Sequence, residues 1–580
     1  MKYYVVDTES TTKEDDCRVW AYAICDVFDF NNIIVGTSID ELMLWCSLQA
    51  DNPKIYLHNM KWDSQFIIYW LFKNGFTHVQ DRRNRATKTF TTLISDKGLY
   101  YSIEVIFKLQ GKKVRKVTFY DSYKLIPLSV EGIAAAFHLP FKKLEIDYSA
   151  HDDLPEGSPL SPKEDKYIRH DVLIVAYGIR FFLELGLDKM TIGSCALNEY
   201  KTIIGKKQFD LLFPPSEHGE DIRQSYRGGF TYLEPQFAGK VLQNGIVLDV
   251  NSLYPDRMRY CLLPYGNPIF YRGEYKPDEI YTLYVQMIRC QFKLKPGKIP
   301  TIQIKNSMFF TGNEYLTTSG DEEITLVLTS VDLEMFLDHY EVYNIEYVAG
   351  WKFKGAYGLF DEYVDKWISS KEQASIEENW GMYLISKLFL NSLYGKFGTS
   401  TIIKSKVPYL DKNDVVHYYD SEPEQKEGVY IAMASFITSY ARQKTIQSAQ
   451  KIKDDYNAGR SNIQFVYADT DSLHCISPDF SLPEDLEIHP TKLGAWKYEG
   501  KWKRAKFLRQ KCYIEEFTKH TDALDPEYKL KVTVAGMPDS CYDQVDFRNF
   551  KIGASYKGKK QPQIVKGGVI LRSIDFTIKP

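Results

Sequence analysis

Two short acidic motifs constrain this chain more than any other feature of it. In Tyr467-Ala-Asp-Thr-Asp-Ser472, Asp469 and Asp471 stand one residue apart, directly after the strand-like run Ile463-Gln-Phe-Val-Tyr-Ala468. Far upstream, Asp249 ends a second apolar run, Gly245-Ile-Val-Leu-Asp-Val250, and opens Asp249-Val-Asn-Ser-Leu-Tyr-Pro255. Carboxylates at the ends of adjacent strands can hold divalent cations, and hard oxygen ligands select Mg2+ or Mn2+ over softer-ligand metals. Two such ions about 4 Å apart activate an attacking oxygen and stabilise a leaving one in phosphoryl transfer. The pattern predicts nucleotidyl-transfer chemistry.

A chain of 580 residues is expected to divide into several domains. The net charge is only −3, so an electrostatic footprint for a polyanion must be local. Nine cysteines lie scattered without a CxxC pair, which fits a reducing compartment and argues against a disulfide framework or structural zinc. Asp7 and Glu9 interrupt the N-terminus before a signal-peptide core can form. The longest apolar runs, such as Phe66-Ile-Ile-Tyr-Trp-Leu-Phe72, are too short to span a bilayer. The expectation is a soluble intracellular protein with no membrane partner.

The first part of the chain alternates strand and helix patterns. Tyr3–Val6, Arg18–Ile24 and Lys54–His58 read as strands, and helical periodicity runs from Asp63 through Phe72. An α/β domain is predicted, closing near Gly186. Within it, Asp7-Thr-Glu9 puts two carboxylates on one strand face, and Asp63 opens a helix just after His58-Asn59. Tyr167 and Asp171 share a helix face at i and i+4. Together these four carboxylates and one tyrosine predict a second two-metal site, suited to hydrolysis, in which Tyr167 helps orient water.

Between the upstream and downstream acidic motifs, helix is expected from about Leu359 to Gly395. It places Lys387, Asn391 and Tyr394 or Gly395 on one face, with Lys371 about four turns earlier. A lysine there can neutralise a triphosphate, and Gly395 permits close approach of a base pair. Tyr254 is placed to stack under a sugar and exclude a 2′-hydroxyl. Downstream, Lys501-Trp-Lys-Arg-Ala-Lys-Phe-Leu-Arg-Gln-Lys-Cys-Tyr513 interleaves basic and aromatic residues, as phosphate backbones require. Alternation along a strand would point Lys511 and Tyr513 the same way. Arg115-Lys116 with Lys112 and Lys113, and Lys557-Gly-Lys-Lys560, are weaker basic patches.

At these residues the sequence resembles the family-B DNA polymerases, and within them the protein-primed subgroup of small tailed bacteriophages infecting Gram-positive bacteria. The resemblance runs from Asp7 to Lys579. It covers Asp7-Thr-Glu9, His58-Asn59 to Asp63, Tyr167 to Asp171, Tyr226-Arg-Gly-Gly229, Asp249 to Pro255, Lys387 to Gly395, Thr438-Ser-Tyr-Ala-Arg442, Tyr467 to Ser472 and Lys511-Cys-Tyr513. It departs from the family in Thr8, where an aromatic is usual, and in Trp62-Asp63-Ser64, where Phe-Asp-Gly is commoner.

The resemblance implies a mixed α/β fold. A right hand of palm, fingers and thumb would follow an RNase-H-like 3′–5′ exonuclease domain. The implied division is exonuclease 1–187, palm 188–260 and 427–530, fingers 359–398 and thumb 531–580. Insertions peculiar to the subgroup would occupy 261–358 and 399–426. It implies template-directed, protein-primed, processive and strand-displacing synthesis of a linear phage genome, with proofreading, by a monomer in the cytoplasm of an infected bacterium. Its partners would be primer–template DNA, dNTPs and a terminal protein, with two Mg2+ or Mn2+ ions in each site. Metals would be held by Asp249, Val250 and Asp471 at one site, with Asp469 completing it, and by Asp7, Glu9, Asp63 and Asp171 at the other. Lys143 would assist exonuclease catalysis. The nucleotide would meet Val250, Tyr254, Lys371, Lys387, Asn391, Tyr394 and Gly395. DNA would meet Ser10, His58, Asn59, Phe66, Ser122, Tyr123, Tyr226, Gly228, Gly229, Thr438, Arg442, Arg509, Lys511 and Tyr513. The first insertion, containing Ile299-Pro-Thr-Ile-Gln-Ile-Lys305, would help bind the terminal protein, an interaction to which Asp332 is also linked. A dedicated exonuclease or a non-enzymatic DNA-docking scaffold are the alternatives; every metal carboxylate is in place, which argues against both.

Overall fold

A computed structural model describes residues 2–215, 217–304, 314–520 and 527–580. Lys305, the last residue of the Ile299–Lys305 segment, lies outside them. The N-terminal domain is built on an eight-stranded mixed sheet in the order 29–36, 19–26, 3–10, 54–57, 113–121, 100–110, 89–94 and 77–78. Strand Tyr3–Ser10 lies at its centre, antiparallel to Val19–Asp26 and parallel to Lys54–Leu57. Helix Pro162–Glu184 packs against the first two of these strands. Its start is fixed locally: Ser161 caps the Glu164 N–H, Glu164 returns the bond, and Pro162 occupies the first turn. Burial of Ile168, Val172, Val175 and Ile179 then forces one face inward and brings Tyr167 and Asp171 over the sheet.

The centre of the molecule is an antiparallel seven-stranded sheet, ordered 529–534, 512–518, 496–509, 241–250, 472–476, 464–469 and 231–233. Register pairs Asp249 with Ser472, and the Val250 N–H donates to the Asp471 carbonyl at 2.8 Å. The strands bearing Asp249 and Asp469 are not direct neighbours, because the return arm Ser472–Ile476 lies between them. A tight turn at Thr470 (φ 64°) swings Asp471 back over that arm toward Asp249. Gly245 sits opposite Trp502, which is fully buried, and a Cβ there would lie 1.9 Å from the indole.

The helix expected over about 359–395 is two helices, Asp361–Ile376 and Trp380–Phe397, reversed within the loop-like Ile376–Met382 segment by a turn in which Glu378 takes φ 55°. The pair is antiparallel: the Tyr363 hydroxyl donates to the Phe389 carbonyl at 3.0 Å, and Trp367 packs on Phe389 at 4.4 Å. Lys371 therefore comes back beside Lys387 instead of lying four turns below it. Strands Leu263–Arg272, Tyr340–Ala356, Leu283–Leu294 and Ile324–Thr329 form a four-stranded sheet covered by helix Ser330–His339, and 406–420 form a hairpin. That hairpin docks on the N-terminal domain, burying Val416 in its core and bonding the Tyr418 hydroxyl to Gln65 at 2.9 Å. A division at residue 531 would cut strand Lys529–Val534, which belongs to the central sheet; the separate C-terminal hairpin runs from Ser555 to Thr577. No helix among the described residues is long and apolar enough to cross a membrane.

Gly245→Ala forces either Trp502 or the strand to shift. It should destabilise the fold by about 1–3 kcal/mol, seen as an earlier midpoint in urea; an unchanged midpoint would contradict this packing.

Candidate active sites

The N-terminal site is a cavity of about 380 Å3 lined by strand Tyr3–Ser10, the His58–Asp63 segment, helix Pro162–Glu184 and Lys143. Ligand oxygens of Asp7, Glu9 and Asp171 lie within 4.8 Å of one another, the one cluster of three or more metal-capable side chains among the described residues. Asp63 faces them from the next element. Burial and the neighbouring carboxylates push Asp7 well above the usual carboxylate range, and Glu9 is pushed up to about 8 by burial and then by Asp171 and Asp63. Burial raises Asp63 to about 6, opposed by the Thr8 hydroxyl, which donates to its Oδ1 at 2.6 Å. Burial also raises Asp171, opposed by Lys143, whose Nζ lies 3.3 Å away.

Buried Asp171 Oδ1 has no hydrogen-bond partner. Like charges packed this closely, with an orphaned oxygen among them, fit a divalent cation as their missing partner. Tyr167 sits over the same group, its hydroxyl 3.3 Å from that of Tyr148. Sequence reasoning did not find Tyr148, because it lies in a polar loop with no periodicity. Thr8 stood out only as a departure from family pattern, and its bond to Asp63 gives that departure a structural purpose.

The expected DNA contacts of this domain separate into lining and buried groups. Ser10, His58 and Asn59 line the cavity, and Tyr123 is 40% exposed. Ser122 is buried, bonding His58 Nδ1 at 2.9 Å and the Leu57 carbonyl, so it positions His58. Phe66 does not face the cavity. It is buried with Val565, Val569 and Ile570 of the C-terminal hairpin, which packs over it.

The central site pairs Asp249 with Asp471. Burial, Asp471 and Glu499 raise Asp249 to about 7, while Lys497 and Lys387 oppose the shift. Burial raises Asp471 too, with Asp469 contributing. Asp469 is held by two partners: Lys511 Nζ reaches its Oδ1 at 2.5 Å, and the Tyr467 hydroxyl donates to its Oδ2 at 3.2 Å. The expected single strand through Lys511 and Tyr513 is a hairpin instead. Lys511 occupies its turn at φ 52°, while Tyr513 is buried among Tyr467, His474 and Phe507. Lys511 and Tyr513 thus do not point the same way. Tyr513 supports Tyr467, which accepts the Lys511 N–H at 2.9 Å.

Tyr254 and Tyr394 stack at 4.0 Å and 14°, forming one aromatic wall beside the aspartates. Lys387 and Asn391 are exposed on the same helix, and Gly395 faces open space. Burial and the nearby Lys387 lower the Lys371 pKa, as expected for two cations awaiting a polyanion. Val250 is buried and joins the site only through its backbone. Tyr226 packs on Gly398, and Gly229 on Thr470 between the two aspartates. Thr438 and Arg442 do not present side chains to a ligand. Both are buried, Thr438 bonding its own helix and Arg442 the carbonyls of Arg227 and Gly228 at 2.8 Å each. Arg509 bonds the Lys579 carbonyl at 3.0 Å.

A central sheet carrying paired aspartates beside a cationic helix pair, joined to a domain of clustered carboxylates, defines a polymerase that also carries a nuclease domain. Residues 45–174 and 155–483 match the family described as DNA polymerase type B, organellar and viral. The DNA polymerase of Bacillus phage phi29 is 43% identical over 100% of this chain and 99% of its own length. That of Streptococcus phage Cp-1 is 33% identical over 100% and 98%. A solved structure of phi29 DNA polymerase with primer-template DNA and incoming nucleotide substrates matches with a TM-score of 0.93 at 41% identity, covering 100% of both chains. The chain belongs to the type B DNA polymerases, in their bacteriophage branch. It is a DNA-directed DNA polymerase with their right-hand fold, and both carboxylate sets fit that family's dependence on divalent metal.

Two outcomes follow from the N-terminal geometry. Thr8→Val keeps the size but removes the bond to Asp63, and should slow degradation of single-stranded DNA roughly 10- to 100-fold while primer extension is retained. Glu9, raised in the folded state, keeps a proton that the unfolded chain has released. Its contribution to stability therefore falls as pH rises from its ordinary 4.5 toward about 8. With a chelator present, Glu9→Gln should raise the thermal midpoint at pH 8 and much less at pH 5; equal effects at both would contradict the assignment.

Proposed function

We propose that this chain replicates a linear phage genome by strand-displacing synthesis from a protein primer, and proofreads its product in the N-terminal domain. The observation that carries this reading is the presence of two separate carboxylate centres in one chain. One lies beside cationic and aromatic groups suited to a nucleoside triphosphate; the other is an acidic cavity suited to hydrolysis. The exonuclease domain would be residues 1–187, the palm 188–260 and 427 to about 534, the fingers 359–398 and the thumb the C-terminal remainder. The insertions would be 261–358 and 399–426.

In synthesis, Lys371 and Lys387 hold the triphosphate, while Asn391, Gly395 and the Tyr254–Tyr394 wall shape the nascent base pair. Asp249, Asp471 and the backbone of Val250 would hold two Mg2+ or Mn2+ ions, with Asp469 orienting Lys511 at the primer end. When bound, such ions supply Lewis-acid stabilisation of the attacking and leaving oxygens. In proofreading, Asp7, Glu9, Asp63 and Asp171 form the corresponding set, Tyr167 orients water and Lys143 neutralises charge beside Asp171. Ser10, Asn59 and Tyr123 would receive the single-stranded 3′ end.

The docked 406–420 hairpin supports processivity and strand displacement without a helicase, since it joins the second insertion to the exonuclease domain beside the C-terminal hairpin. A terminal protein as primer, a monomeric state and action in the cytoplasm of an infected bacterium are part of this proposal and rest on the resemblance to the protein-primed subgroup. An exonuclease without synthesis would leave Asp249, Lys387 and the Tyr254–Tyr394 wall without use.

Extension of a 5′-labelled primer on a circular single-stranded template, with Mg2+, four dNTPs and no accessory protein, should give products many times the circle's length. Products ending at one circle would sink the strand-displacement reading. Asp249→Asn should reduce extension by at least about 100-fold and spare exonuclease activity, with Asp7→Ala doing the reverse. Tyr254→Val should raise ribonucleotide incorporation about 10- to 100-fold; unchanged sugar selectivity would remove Tyr254 from that role.

A further inference from the structure

Strand Trp496–Arg509 runs beside the strand that carries Asp249, and its register sets Lys497 directly opposite that aspartate. Directly paired residues of antiparallel strands put their side chains on one face of the sheet, within contact range. Asp249 thus has Ser472 on one side and Lys497 on the other. Lys497 is held there by Glu499, two residues along the strand, with Nζ 2.7 Å from Oε1. Its ammonium is close enough to oppose the upward shift of Asp249 and to lower Lys371. Lys387 acts on the same two groups.

Three ammonium groups therefore converge beside Asp249, two from the antiparallel helix pair and one from the sheet. The ion pair that holds the third can open at little cost. Its lysine and glutamate side chains are 42% and 24% exposed, and ion pairs reached by water hold their partners weakly. Glu499 also has a second cation, since Lys519 Nζ lies 3.9 Å from its Oε2. Lys497 can leave without stranding an unpaired carboxylate. A polyphosphate seated on Lys371 and Lys387 brings several negative charges to this place, against the single charge of Glu499, and charge-assisted bonds to its oxygens are strong. In the sequence Lys497 stands just ahead of the basic run that begins at Lys501, and its local pattern does not set it apart from solvated lysines. The strand register does.

We propose that Lys497 is a third ligand for the outer phosphates of the incoming nucleotide. It leaves Glu499 for the β- and γ-phosphates as the triphosphate binds, and stays with them as pyrophosphate once the α-phosphate has passed to the primer. It returns to Glu499 when pyrophosphate departs. Lys497 stays protonated throughout and forms no covalent bond. The inference rests on the placement of the triphosphate at Lys371 and Lys387 given above.

The test compares Lys497→Ala, Lys497→Arg and Glu499→Gln with the parent in the full chain. Binding is read first without turnover. A dNTP is titrated into the complex with a dideoxy-terminated primer–template, Ca2+ replacing Mg2+, and retention on a gel gives the half-saturating concentration. Lys497→Ala should raise it about 10-fold, the loss of one charge-assisted contact, and Lys497→Arg should restore most of it. Glu499→Gln removes the competing charge and should leave it at or below the parent's value. In the reverse reaction with Mg2+, KM for inorganic pyrophosphate should rise about 10-fold in Lys497→Ala. KM for primer–template and the rate of single-strand degradation should stay within about 2-fold. An unchanged value for dNTP or for pyrophosphate in Lys497→Ala would overturn the proposal. So would an equal rise in Glu499→Gln, which would make the pair a structural unit. Parallel loss of single-strand degradation would mean general destabilisation and overturn it too. Lys387→Ala is measured alongside; if it also leaves dNTP binding unchanged, the triphosphate placement itself fails, an outcome distinct from failure at Lys497 alone.

Discussion

Everything at the centre of this molecule depends on one backbone hydrogen bond, from the Val250 N–H to the Asp471 carbonyl at 2.8 Å. Asp249 and Asp471 are half-buried and repel each other, so nothing in their side chains favours the approach. Antiparallel pairing of strand Val241–Val250 with Ser472–Ile476 imposes it, and a one-residue slip would send Asp249 to the opposite face. The register is held from the other side by Gly245 against Trp502, where no side chain can intrude. Sheet pairing, not side-chain attraction, assembles the acidic pair.

The same logic holds in the N-terminal domain with different elements. A central strand supplies Asp7 and Glu9 through its two-residue period, a helix start supplies Asp63, and a capped helix supplies Tyr167 and Asp171. Each element is stabilised elsewhere, by the apolar face that it buries. The carboxylates are carried into mutual contact as a consequence. Their raised affinity for protons measures that strain, and a divalent cation relieves it.

Much of this was legible in the sequence because the chemistry follows local period and order. Asp7 and Glu9 at i and i+2, or Lys387 and Asn391 at i and i+4, need only one element to be read correctly. What escaped depends on turns and on partners distant in the chain. The reversal at Glu378 brings Lys371 beside Lys387. The Ile376–Met382 segment reads as a loop, but no proline marks the turn, and its one glycine, Gly381, falls inside the second helix. The turn at Lys511 separates that lysine from Tyr513, and the basic run gave no sign of a hairpin. Thr438 and Arg442 fall in a recognisable motif and Phe66 follows one closely, but their side chains face the interior. Burial of that kind is decided by packing between domains, which local pattern does not encode.

The central claim is that two acidic centres in one chain compete for one primer end. It is tested most directly by titrating dNTPs against a 5′-labelled primer–template with Mg2+ and following product length. The account predicts shortening without dNTPs, then a reversal to extension over a narrow dNTP range, with idling between. Shortening that persists at saturating dNTPs, or extension with no degradation at zero dNTPs, would contradict it.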